Sequence, residues 1–159
     1  RDRLLLDRAL PNLTGCLGVV ALARLGFIQL AGERLGRWFN SRTWHEHDSA
    51  ILGWAATEFL LWTQERSWLN AHGGALTQLL NQLSKGRLAA GGHALFGLEG
   101  SLRWSEIWRV AALLNGVRVM NATDVNRRRW GLSGAQARDG LVSFLGEAPW
   151  SGAPATGCR

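Results

Sequence analysis

The stretch GLEGSLRWSEIWRVAALLNGVRVMNA, residues 97–122, decides how the fold is read. Ser101 is a residue type that caps a helix N-terminus. After it, Leu102, Trp104, Ile107, Trp108, Ala111 and Leu114 recur at three- and four-residue spacing, which predicts one apolar helical face. Asn115-Gly116 ends that helix or turns it. Residues 117–122 then alternate as a strand does. Just upstream, residues 93–96 are short and apolar, a second candidate strand. Strand, helix and strand in this order make the expected fold class α+β, helix-rich with a few short strands.

Working outward toward the N-terminus, residues 75–88 predict a helix with Leu76, Leu79, Leu80 and Leu83 as its stripe. Gly73-Gly74 breaks the chain before it and Gly91-Gly92 stops it. Residues 49–69 predict a long helix, with Asp48 or Ser49 as its cap and Ile51, Leu52, Ala55, Phe59 and Trp62 on one face. The most apolar stretch is 13–32, close to the shortest length that spans a bilayer. Arg24 lies inside it, and a charge near the centre of a span costs roughly 2.5–3.5 kcal/mol. Gly15, Gly18 and Gly26 interrupt it as well, so a buried strand or core helix is the expectation.

Toward the C-terminus, Arg127-Arg128-Arg129-Trp130 reads as a loop, 133–145 as a short helix, and the Gly/Pro/Ala-rich segment from Glu147 as an irregular tail. The expected organisation is an N-terminal part over 1–70, a helix and strand unit over 71–146, and a tail over 147–159. No internal repeat stands out.

The chain has 159 residues and a formal net charge of +6. Lys85 is the only lysine. Arg over Lys, nine Trp beside no Tyr, and twenty Gly fit a GC-rich coding bias. That bias does not account for the net excess of cations, which attracts phosphate. Cys16 and Cys158 lie far apart and make no CxxC, which points to a reducing or organellar interior rather than a disulfide framework.

Catalytic constellations are weak. No Ser lies in a Gly-x-Ser-x-Gly elbow, Cys16 sits in an apolar run, and Glu58 and Glu65 read as surface groups. His45-Glu46-His47-Asp48 looks like a metal cluster, but residues two apart do not share a helix face and no third ligand is evident. The expectation is a protein that is not an enzyme and holds no metal or cofactor.

What remains is nucleic-acid chemistry. Arg34, Arg37, Trp38, Arg42 and Trp44 interleave cations with indoles, and Arg127, Arg128, Arg129 and Trp130 repeat the pattern. Arginine forks pair with phosphates, and an indole stacked on a base contributes roughly 1–3 kcal/mol. Gly97 and Gly100 form a GxxG before a helix, the order a KH module uses to bring backbone amides to phosphates. Glu99 inside that turn is unfavourable for an anion.

The segment LPNLTGCLG at 10–18, then RWFNSRTW at 37–44, resembles the opening of the KH-containing small-subunit ribosomal protein number three. The run from Gly97 to Ala122 is similar to that family's KH core. Alternatively, GVRV at 116–119 with the downstream arginines resembles its C-terminal domain. The chain departs from the pattern in lacking an Arg before Leu17, in its long connection from Gly18 to Arg37, and in the acidic GxxG. The resemblance implies an organellar copy: a structural component of the mitochondrial ribosome small subunit, in the matrix, with ribosomal RNA and neighbouring ribosomal proteins as partners. It implies that Arg37, Arg42 and Arg127–Arg129 touch the RNA backbone. The competing expectation is an accessory subunit of a respiratory-chain membrane complex, with residues 13–30 packed against membrane or partner helices.

Overall fold

The apolar run that opens at Leu13 folds as a helix and stops where the sequence supplies a glycine. The computed structural model describes residues 13–41, 46–85 and 101–147. Its first helix, α1, is Leu13–Arg24. Gly26 takes φ 89°, Phe27 N–H donates to the Leu22 carbonyl and Gly26 N–H to the Ala23 carbonyl. This is a Schellman ending, and it requires a residue that tolerates the left-handed region. The turn lets α2, Ile28–Ser41, fold straight back.

The next helix, α3, is Glu46–Thr63 and α4 is Arg66–Lys85. The single long helix expected over 49–69 is therefore two. Gln64 adopts φ 52° between them, after its N–H closes the last turn on the Leu60 carbonyl. Thr63 Oγ accepts from Glu65 N–H at 3.3 Å and supports the reversal. Conversely, Gly73-Gly74 does not break α4. Each glycine costs an exposed helix about 1 kcal/mol, whereas burial of Trp68, Leu76, Leu79, Leu80 and Leu83 along α4 contributes several times that.

The stretch that decided the expected fold class behaves differently from its reading. Residues 101–119 are one helix, α5, Ser101–Val119. Asn115-Gly116 lies inside it, and Met120 N–H still bonds the Gly116 carbonyl at 3.0 Å. Gly116 is a packing residue: a Cβ there would meet Leu80 Cδ1 at 2.7 Å. Val117 and Val119 face the core from this last turn. Of the six residues expected as a strand, 117–119 lie in this helix, whose backbone closes its own hydrogen bonds, and 120–122 form the connection to the next helix. Arg127-Arg128-Arg129-Trp130, expected as a loop, is likewise helical, within α6, Asp124–Glu147, whose first turn bonds Arg127 N–H to the Thr123 carbonyl. Among the described residues there is no strand, so the fold is all-helical, not α+β, and residues 101–122 do not form the KH-like unit. The candidate strand at 93–96 and the tail after Glu147 lie outside the described residues.

The six helices of the described residues stack as three antiparallel pairs in two layers. Trp54 packs on Trp108 and Glu58 meets Asn115, so α3 and α5 run parallel. Arg24 pairs with Glu58, which sets α1 beside α3 in the same layer. In the other layer, Trp68 Nε1 donates to the Gly32 carbonyl at 3.0 Å, and Trp130 and Ser133 reach Asn81 and Ser84, which aligns α2, α4 and α6. No contact joins α1 to α5 or α2 to α6 among the described residues. Each pair touches only its neighbours, as in repeat proteins, although the sequence shows no repeat.

At the centre, α3 is buried on nearly every side, with Ala50, Ile51, Leu52, Ala55, Ala56, Phe59 and Leu60 in the core. A helix apolar all round belongs in such a place. Its buried Thr57 hydroxyl is satisfied by the Gly53 carbonyl at 2.9 Å. Arg109, also buried, ties three helices together. It donates to the Leu83 carbonyl at 2.8 Å and to Ser133 Oγ at 3.3 Å, and pairs with Glu106 at 2.8 Å. It thus satisfies one carbonyl that the end of α4 would otherwise leave open, and Ser133 Oγ donates to the next, that of Ser84, at 3.1 Å.

Candidate nucleic-acid interface

The residues expected to meet RNA separate into three groups. Trp38 is 8% exposed and Trp130 fully buried. Trp130 lies on the inner side of α6 and donates from Nε1 to Asn81 Oδ1 at 2.9 Å. Neither indole is open to a base, so stacking at these two positions is corrected. An indole has much apolar area and one donor, and this interior supplies both a core and an acceptor.

The second group is exposed. Arg127, Arg128 and Arg129 are open to solvent on the first turns of α6, and Arg37 is open on α2 beside the half-buried Arg34. The two clusters are not one patch, because α4 stands between α2 and α6. Arg42, Trp44, Gly97 and Gly100 make up the third group and lie outside the described residues, as does His45.

The fold brings further cations, Arg66 and Arg118, to the surface near this row. Arg127 Nη2 donates to the Val117 carbonyl at 3.1 Å, which draws the start of α6 to the end of α5. The exposed Arg118 follows Val117 directly. Arg118 and Arg66 both line a depression of about 280 Å3, floored by Leu60, Leu69 and Val119. A wider one of about 780 Å3 continues from Arg66 past Asn70 and Thr77 to Asn121. Arginines 66 and 118 therefore meet at one end of the stack. Nothing in linear spacing marks them; only the antiparallel course of α4 and α5 joins them.

Electrostatics sharpens the picture at α6. A helix N-terminus carries about half a positive charge, and each cation placed there is unfavourable by roughly 0.3–1 kcal/mol at low ionic strength. Three consecutive arginines stand near that end against its dipole, with Asp124 as the acidic residue of the first turn and Arg127 held by the Val117 carbonyl. An anion at this end relieves that unfavourable placement.

A second feature crosses the layer of α1, α3 and α5. Arg24 Nη2 pairs with Glu58 Oε1, and Asn115 Nδ2 donates to Glu58 Oε2 at 3.3 Å. One turn beyond Glu58, Trp62 is 60% exposed, with the Arg24 guanidinium 5.6 Å from its ring centroid. The spacing of Trp62 predicts a place on the core stripe of its helix. It instead stands at the last turn of α3, where that helix leaves the core. Arg24, expected as a costly charge inside an apolar run, is the last residue of α1 and reaches solvent.

Two further reactive groups lie in or against the core. Cys16 is fully buried, and burial, reinforced by the negative charge of Asp48, pushes its thiol up to about 12. His72 packs on Trp68 with centroids 4.9 Å apart, and burial lowers its basicity. No group of three His, Cys, Asp or Glu side chains is gathered as a metal site among the described residues. No described helix is long and apolar enough to cross a membrane.

Comparison with family models, with curated proteins and with solved structures found no match.

Proposed function

We propose that this chain is a structural RNA-binding component of a ribonucleoprotein, acting by charge neutralisation on a rigid helical scaffold and not by catalysis. The observation that carries the reading is the exposed row Arg127–Arg129 at the positive end of α6, tied by Arg127 to the end of α5 beside Arg118. Cations gathered against a helix dipole are the arrangement that a polyanion stabilises. The net charge of +6 acts in the same direction over longer range. The assembly suggested by the sequence resemblance is the small subunit of a mitochondrial ribosome. With Trp38 and Trp130 in the core, the reading rests on arginine, and stacking at those two positions is no part of it.

The test is RNA affinity measured across a salt series. Each neutralised phosphate adds about 0.7 to the log–log slope for single strands. Replacing Arg127, Arg128 and Arg129 together by Gln should lower that slope by up to about 2. An affinity indifferent to salt would sink the proposal.

One observation favours the competing reading of an accessory subunit in a membrane complex. Leu25, Phe27 and Leu30 leave an exposed apolar corner at the α1–α2 turn, which suits a protein partner. Sedimentation of the native chain with ribosomal particles or with a respiratory complex decides between the two.

A further inference from the structure

The end of the stack where α3 and α5 finish and α4 begins holds a depression with an apolar floor and two arginines in its lining. We propose that this depression binds a small monocarboxylate with an apolar chain, its carboxylate held by Arg66 and Arg118 and its chain laid on Leu60, Leu69 and Val119. The proposal goes beyond the RNA-binding reading and does not depend on it.

The course of the helices assembles the site. Because α3 and α5 run parallel, their last turns bring Leu60, Leu61, Arg118 and Val119 to one end. Gln64, with φ 52°, reverses the chain there, so Glu65, Arg66 and Leu69 at the start of α4 return to the same place. Arg66 and Arg118 are both exposed, and neither guanidinium has an acidic partner among the described residues. Arg118, in the last turn of α5, suits the dipole of its own helix. Arg66 does not: it opens α4, whose first turn has no acidic residue, and a cation at a helix N-terminus is unfavourable until an anion joins it.

Size and charge select the occupant. The depression has a volume of about 280 Å3, room for about nine water-sized groups at ~30 Å3 each, which a six-carbon acid fills. The two guanidinium groups and the Glu65 carboxylate leave one net positive charge on the lining. That balance matches a monoanion and disfavours a second negative charge. Glu65 already accepts from Ser67 Oγ at 2.7 Å. A guanidinium fork fits the two oxygens of a carboxylate. Leu61, Leu69 and Val119 are only half-buried, so an apolar chain laid across them removes further area from water. An RNA backbone carries no such chain. A mostly apolar hollow with a few convergent polar groups is the usual form of a small-molecule site.

The experiment titrates the full chain, labelled with nitrogen-15, and follows its amide shifts. The ligands are sodium hexanoate, sodium acetate, 1-hexanol, inorganic phosphate and a short single-stranded RNA. Hexanoate should give saturable shifts centred on residues 65–69 and 118–119. Acetate and hexanol at the same concentration should shift them far less, since each lacks one half of the ligand. Arg66→Gln and Arg118→Gln, both at exposed positions, should keep native helix content and each weaken hexanoate roughly ten-fold. Arg138→Gln, which removes a cation paired with Asp139 elsewhere, should leave hexanoate binding unchanged. Equal shifts from acetate and hexanoate reduce the effect to anion attraction and overturn the proposal. Equal shifts from hexanol, or hexanoate shifts centred on Leu25 and Phe27, overturn it as well. If RNA or phosphate saturates these amides and hexanoate does not, the depression belongs to the RNA-binding surface and the proposal fails. Hexanoate binding as expected in a chain that binds no RNA upholds the proposal and removes the RNA reading.

Discussion

The indole N–H of Trp130 donates to Oδ1 of Asn81 at 2.9 Å, deep between α4 and α6. Trp130, which follows the three arginines, is therefore the anchor beneath the surface row Arg127–Arg129. Asn81→Ala leaves a buried donor without its acceptor, which costs about 1–3 kcal/mol. For a chain of this length that should lower the melting temperature by roughly 2–4 °C per kcal/mol. RNA affinity of the folded fraction should stay the same. A large affinity loss at unchanged stability would contradict the structural role given to this pair.

Two glycines in helices should respond oppositely to alanine. At Gly74 a Cβ meets nothing within 4 Å, so Gly74→Ala should stabilise by about 0.5–1 kcal/mol through propensity alone. At Gly116 the same Cβ would lie 2.7 Å from Leu80 Cδ1. Overpacking of this kind costs about 1–3 kcal/mol, more than the propensity gain. Urea midpoints of the two variants, compared with the parent, should therefore move in opposite directions.

The stability profile with pH should fall off on both sides. His72 is less basic folded than unfolded because of burial. The unfolded chain thus takes up protons first as pH drops through about 6.5, and stability present above that value is lost as pH falls toward the folded value. Cys16 behaves in the other sense. Its thiol is raised from 9.0 to about 12, so stability present below 9 is lost as pH rises from there toward 12. His72→Gln should flatten the acid limb and Cys16→Ala the alkaline one in chemical denaturation at stepped pH. Native Cys16 should also resist alkylation at pH 8 and react once the chain is unfolded.

Arg109 should be among the least replaceable charged residues. Arg109→Met removes a donor from the Leu83 carbonyl and from Ser133, and a partner from Glu106. Charge-assisted bonds of this kind each contribute about 1.5–3 kcal/mol. Thermal unfolding should show destabilisation of at least that size, and Ser133→Ala, which loses weaker bonds, a smaller drop. Equal stability of parent and Arg109→Met would remove the network from the account.

The leucine stripe of α4 was legible in sequence because its period is helical and its residues are large. The inertness of Cys16 was legible from the apolar run around it. The sites were legible only in part. Arg127–Arg129 stand out as a run and are exposed, but the same run suggested that Trp130 would be exposed too. Adjacent positions on a helix point about 100° apart, so one residue separates a solvated face from a buried one. Trp62 carried the opposite error, since its spacing fits the core stripe and only the end of α3 leaves it outside. Arg66 and Arg118 carried no local signal.

By itself, the sequence determined that this chain is helix-rich, basic through arginine, and supplied with enough apolar surface to build a core. Tertiary structure alone decided that Gly73-Gly74 and Asn115-Gly116 continue helices instead of ending them, and that Gln64, not a glycine, divides α3 from α4. The physical reason is one of magnitude. A local preference at a glycine is about 1 kcal/mol, while the face buried along α4 or α5 contributes several kcal/mol when a neighbouring helix covers it. Packing between helices far apart in sequence therefore overrides the turn signals, and residues 101–119, expected as a helix running into a strand, form one uninterrupted helix.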